Sequence, residues 1–159
     1  MKIMNKLQNK LKKANKDNKG FSLVELIIVI AIMAILVGIV GTQVIPYISK
    51  SKVAKDQQVL NSISTAGVTA YSENGLTGDI TVSVFDTSLT GDAKKVADDI
   101  IAASGFENLA AFKAALGADG KDNITEVTFT VTASSHKATT SVTYSTAPKY
   151  EIKDVTATL

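Results

Sequence analysis

One ionisable side chain, Glu25, interrupts the apolar run from Phe21 to Val40, and no lysine lies inside that run to neutralise it. An ionised carboxylate at the head of a membrane-length apolar segment is costly unless a cation meets it. The chemistry Glu25 offers is therefore charge pairing with a group from outside the run. Elsewhere reactive side chains are scarce: His136 is the only histidine, cysteine is absent, and no Ser/His/Asp set or two-histidine metal spacing can be assembled. A histidine among Ser134, Ser135 and Lys137 reads as a solvated turn residue, so no enzyme activity and no cofactor is expected. Asp119-Gly120-Lys121-Asp122-Asn123 gathers oxygen ligands around a glycine but lacks the later bidentate glutamate of an EF-hand loop. Asp119, Asp122 and Asn123 are the one candidate metal loop, and a polar turn is the preferred reading.

The element that must position Glu25 is a helix. Phe21 to Val40 is twenty residues, and at about 1.5 Å of rise each they cover the roughly 30 Å of a bilayer's hydrocarbon core. A secretory signal would be shorter and would end in small residues at a cleavage site. Here the run passes through Gly41, Thr42 and Gln43 into Val44, Ile45 and Pro46. Before it, seven lysines against Asp17 alone give residues 1–20 a formal charge of +6. Positive flanks stay cytoplasmic, so a single-pass topology with the head inside and the C-terminal part outside is expected. Ile3, Leu7, Leu11 and Ala14 fall at helical spacing, which suits an amphipathic helix along the inner leaflet.

Gly20, then Phe21-Ser22-Leu23-Val24-Glu25, then the unbroken aliphatic run Leu26 to Ile32, with basic residues upstream, resembles the prepilin signal of type IV pilins and their pseudopilin relatives. The resemblance is close over residues 19–39, weaker over the helix that follows, and architectural beyond it. It implies cleavage between Gly20 and Phe21 by a membrane-embedded prepilin peptidase, N-methylation of Phe21 by the same peptidase/N-methyltransferase, and Glu25 facing the N-terminal amine of a neighbouring subunit during assembly. The implied organisation is a leader over 1–20, a transmembrane and filament-core segment over 21–45, and an extracellular domain over 46–159. The implied partners are further copies of the chain in a helical homopolymer, a pilus assembly ATPase, an inner-membrane platform protein, minor pilins, and the membrane before assembly.

Without the leader the chain holds ten lysines and fourteen acids, a formal charge of −4, and no arginine. That balance gives no electrostatic footprint for nucleic acid. The missing cysteines exclude a disulfide framework, and in this the chain departs from the many Gram-negative pilins that close a C-terminal loop with one. That departure fits the often cysteine-free pilins of Gram-positive bacteria, or a pseudopilin, better.

Beyond the span, Ile45, Ile48, Val53, Leu60, Ile63, Ala66, Ala70 and Tyr71 recur at helical intervals among lysines and polar residues including Asp56 and Gln57. One helix over about 21–73 is expected, stopped by Asn74-Gly75. Pro46 interrupts it about one turn later than the proline pilins usually carry, and Gly38, Gly41, Thr42 and Pro46 make 38–46 its weakest stretch, kinked near 41–46. Alternation marks a strand over Asp79–Phe85, and Val127, Phe129 and Val131, then Val142 and Tyr144, then Tyr150, Ile152 and Val155 mark three more. Short helices fit between: from Asp92, the apolar residues Val96, Ile100, Ile101 and Ala103 suit one ending near Gly105, and Leu109, Phe112 and Leu116 suit another ending at Gly117. The expected class is α+β, a four-stranded antiparallel sheet packed on the long helix, which is the pilin architecture.

The expected function is that of a structural subunit, held in the cell membrane before assembly and in a surface pilus, or fimbrium, afterwards, serving adhesion, aggregation, twitching motility or uptake. The competing reading is the major pseudopilin of a type II secretion or competence system. A membrane-anchored binding domain that never polymerises ranks third.

Overall fold

The structure is a computed structural model and describes Met4 and residues 21–159. The amphipathic spacing of the head and the residue Gly20 lie outside the described residues. Helix runs without a gap from Leu23 to Glu73: α1 is Leu23–Ile39, a π-helical stretch covers Val40–Val44, and α2 is Ile45–Glu73. It begins two residues later than the sequence suggests, because Ser22 is extended and caps it. It ends as Asn74-Gly75 predicts. Gly75 is left-handed at φ 64°, its N–H donates to the Ser72 carbonyl at 3.0 Å, and the Leu76 N–H reaches back to Tyr71 at 3.3 Å. That pair of bonds is the Schellman closure, which needs a residue free to take positive φ.

The chain divides into two compact units between Val44 and Ile45. In the first, α1 has no buried residue. Its backbone is satisfied internally, as an apolar environment requires, but its side chains have no core of their own. In the second, every buried residue lies between Asp56 and Ile152, so this unit has its own core.

That core forms where the apolar face of α2, with Leu60, Ile63, Ala66, Ala70 and Tyr71, meets a four-stranded antiparallel sheet. The strands are β1, Ile80–Ser83; β2, Ile124–Thr132; β3, Lys137–Tyr144; and β4, Val155–Thr158, in the order β1-β2-β3-β4. Val82 pairs with Phe129, and Phe129 with Thr140. Alternation sends Val127, Phe129 and Val131 inward with Ala138 and Thr140 beside them, while the intervening threonines of β2 stay exposed or half-buried. Gly67 lets this packing close, since a Cβ there would come within 2.5 Å of the Phe129 ring. The expected α+β arrangement of one long helix and four antiparallel strands is therefore present.

Between β1 and β2 lie α3, Gly91–Ser104, and α4, Leu109–Ala115. The first buries Val96, Ala97 and Ile100 and stops at left-handed Gly105. The second starts at Asn108, whose side chain accepts from the Ala111 N–H at 2.9 Å, and buries Phe112. Phe112 is bracketed by Phe85 and Phe106, with ring centroids 5.8 and 5.6 Å away.

Three sequence expectations are corrected. The last strand is Val155–Thr158, and Tyr150 and Ile152 precede it in an irregular segment. That segment is held by other means: the Ile152 N–H donates to the Tyr144 hydroxyl at 3.1 Å, and its side chain is buried. On β3 the fully buried positions are Ala138 and Thr140, with Val142 and Tyr144 only half-buried near the strand's end. Ala103 is exposed, and Ala97 supplies the apolar face of α3 instead.

Candidate functional site

The head of α1 is built by Ser22-Leu23-Val24-Glu25. The Ser22 hydroxyl accepts from the Val24 N–H at 3.3 Å, and the Glu25 carboxylate reaches back to accept from the Ser22 N–H at 2.8 Å. This reciprocal cap satisfies two of the four free N–H groups that any helix start presents. Only one oxygen of Glu25, Oε2, is used in this way, and among the described residues the other accepts nothing. The carboxylate also sits where the helix dipole favours negative charge. Phe21 precedes the cap, outside the helix, and is 87% exposed. The Ser-x-x-Glu spacing is legible in the sequence, yet its intrachain role is an addition to the single external partner expected for Glu25.

The rest of α1 is apolar all round, and its large side chains from Leu23 to Ile39 are 46% exposed or more. The helix Leu23–Glu73 is long and apolar enough, over its first part, to cross a membrane. Gly38 and Gly41 have nothing within 4 Å of the place a Cβ would occupy, so no contact among the described residues requires them.

Within residues 38–46 the helix changes type. Pro46 offers no N–H to the carbonyl four residues earlier, and its ring crowds that carbonyl. The π turn at Val40–Val44 directly precedes it and widens the ladder where the bond is missing. The Thr42 hydroxyl donates to the Gly38 carbonyl at 3.0 Å and lies 3.4 Å from that of Ile39. Helical structure thus continues through residues 38–46.

The candidate metal loop is not assembled as a ligand set. Asp119 faces Lys52 at 3.3 Å and Ser49 at 3.4 Å, Lys121–Asn123 is a single 3-10 turn, and the Asn123 amide is directed to the Thr146 carbonyl at 3.3 Å. No cluster of three or more His, Cys, Asp or Glu side chains is found among the described residues. His136, at φ 52°, makes the left-handed turn between β2 and β3 and is exposed.

Two residues of α2 matter more than their sequence setting suggests. Asp56 is 2% exposed, and its two oxygens accept from the backbone N–H groups of Gly117 and Ala118 at 2.9 and 2.8 Å. The next residue, Gln57, makes a two-way amide bridge to Lys153, donating to its carbonyl at 2.7 Å and accepting from its N–H at 2.9 Å. Together they tie the irregular segments after α4 and before β4 to the helix.

With this geometry in place, the comparisons bear on its first part. Residues 15–41 match the family model of the prokaryotic N-terminal methylation motif. No curated protein and no solved structure matches the chain. The motif covers Gly20, Phe21, Glu25 and all of α1, and it supports a prepilin-like protein of the type IV pilin or pseudopilin kind. Motif and α+β fold point to a structural protein rather than an enzyme. The apolar helix and the motif fit membrane anchoring, and the motif implies processing by a prepilin peptidase.

Proposed function

We propose that this chain is the subunit of a type IV pilus of the cysteine-free, Gram-positive kind. The observation that carries the reading is the pairing of the methylation motif with an apolar helix that has no buried residue. Such a helix is completed by lipid or by other copies of itself, since no described residue of the chain covers it.

In this reading residues 1–20 are a leader removed by cleavage between Gly20 and Phe21, 21–45 form the membrane span and later the filament core, and 46–159 form the extracellular domain. Before assembly the subunit sits in the cell membrane with its head cytoplasmic. Cleavage exposes an amine on Phe21, which is then N-methylated. The free oxygen of Glu25 receives that cation from a neighbouring copy while the other oxygen keeps its own helix capped. Association of the helices is driven by packing, since lipid already covers their apolar surface. Head-to-tail repetition of one contact gives an open helical polymer. An assembly ATPase and a membrane platform protein supply energy and site, minor pilins join the polymer, and the filament serves attachment, aggregation, motility or uptake. Pro46 and the π turn before it, with Gly38, Gly41 and Thr42, form the segment where the helix yields most readily on assembly.

Electron microscopy of sheared surface material tests the reading. Filaments labelled along their length by antibody against residues 46–159, and lost when the chain is deleted, support it. A chain found only in the membrane of cells with unaltered filaments overturns it.

A further inference from the structure

The second unit opens with apolar and aromatic residues that its core does not use. Ile45, Tyr47 and Ile48 are each more than half exposed. Beside them lies a groove of about 250 Å³ lined by Ile45, Pro46, Val53, Asp119, Pro148 and Tyr150, among others, and it continues into a second hollow bordered by Lys50, Lys149, Glu151 and Lys153. The Lys50 and Lys149 ammonium groups both reach the Tyr150 ring, at 5.9 and 5.5 Å from its centroid. Among the described residues, Lys50, Lys149 and Lys153 form no ion pair, although Glu151 borders the same hollow. With Asp119 of the groove paired to Lys52, three cations against Glu151, two of them near one ring, leave a net positive site that a bridging anion would neutralise.

We propose that this groove binds the phosphate of anionic phospholipid headgroups in the outer leaflet while the subunit waits in the membrane. Chain connectivity argues for that occupant. Ile45, which lines the groove, ends the proposed 21–45 span, Lys50 follows it by five residues, and Lys149 lines the same groove. Tyrosine at the apolar edge and lysine just beyond it is the composition that settles at a membrane interface. Juxtamembrane lysines gain roughly 1 kcal/mol each near an anionic surface. The contact would hold the domain against the bilayer and be given up on extraction into the filament.

The proposal rests on the membrane-spanning part of the function proposed above, and the test separates the two. The full, uncleaved chain is placed in nanodiscs of phosphatidylcholine, or of equal parts phosphatidylcholine and phosphatidylglycerol. Its lysines are acetylated with a neutral water-soluble reagent and read by mass spectrometry. Acetylation of Lys50 and Lys149 is expected to slow by about threefold or more in the phosphatidylglycerol discs, with exposed Lys137, the first residue of β3, unchanged. Equal rates in both discs, or equal slowing at Lys137, overturn the proposal while an inserted, protease-protected α1 leaves the anchoring intact. An α1 open to protease in both discs overturns both. Protection in phosphatidylcholine discs by glycerol phosphate or short duplex DNA, as strong as that from phosphatidylglycerol, assigns the site to another phosphate source and likewise overturns the lipid assignment.

Discussion

Glu25 and Asp56 lie on the same stretch of helix, in the two units of the chain, and they are satisfied in opposite ways. Asp56 is buried and has both oxygens occupied by backbone N–H groups more than sixty residues away in sequence. Glu25 is exposed and uses one oxygen to cap its own helix, while the other accepts nothing from the described residues. Around each, the apolar side chains follow the same division: those near Asp56 build a core, and those near Glu25 build none. The second unit therefore carries the information for its own fold. The first, in the function proposed above, is completed by a membrane or by another copy.

The largest effect that sharpens this contrast is expected for Glu25→Ala. Filament yield in sheared material, read by immunoblot, should fall by about a hundredfold or more, as the loss of a desolvated charge pair worth about 3 kcal/mol or more requires. The Tm of the second unit should not move. Normal yield would remove Glu25 from assembly and break the comparison at its first term. Asp56→Ala should do the reverse. It strands two N–H groups, one of them buried, and should cost about 3 kcal/mol, lowering the Tm by roughly 10 °C. An unchanged Tm would show that Asp56 is dispensable to the fold.

Gly67→Ala sharpens the second term further. The added Cβ meets the Phe129 ring, and overpacking of that kind costs about 1–3 kcal/mol, whereas Gly38→Ala, with open space around it, should leave the same melting curve untouched. The smallest effect is at alkaline pH. Burial raises the Tyr144 hydroxyl above its ordinary 10.0, opposed by the hydrogen bond from the Ile152 N–H and reinforced by Glu151 and Asp56. The neutral phenol is thus favoured in the fold, so its contribution is complete below the unfolded value and is lost as pH rises through the raised one. Tyr144→Phe should flatten the fall in Tm above about pH 10, which a pH series of thermal melts would reveal. A fall equally steep in the variant would place its cause elsewhere.

The contrast also marks what could be read from the sequence. The apolar run, the capping spacing of Ser22 and Glu25, the Gly75 stop and the alternation in β1 and β2 are local patterns, and each predicts its element. Asp56 stands where a helical apolar face would place a core residue, at three- and four-residue spacing between Val53 and Leu60, so it reads as one polar residue among several. Its partners at Gly117 and Ala118 are set by tertiary structure and leave no trace near it in sequence. The same holds for Gln57 and Lys153, whose two-way bridge holds extended chain that mimics a strand pattern around Tyr150 and Ile152. At residues 40–44 the components of a weak helix were visible, but not the π turn that accommodates them, because helix type depends on how the missing Pro46 bond is redistributed along the ladder.

The central claim, that the first unit is completed by cleavage and by other copies, is tested most directly by the N-terminus of the chain in filaments. Mass spectrometry of sheared surface material is predicted to find N-methylated Phe21 as the first residue. Chains that retain Met1, found in the membrane fraction and absent from filaments, would contradict it.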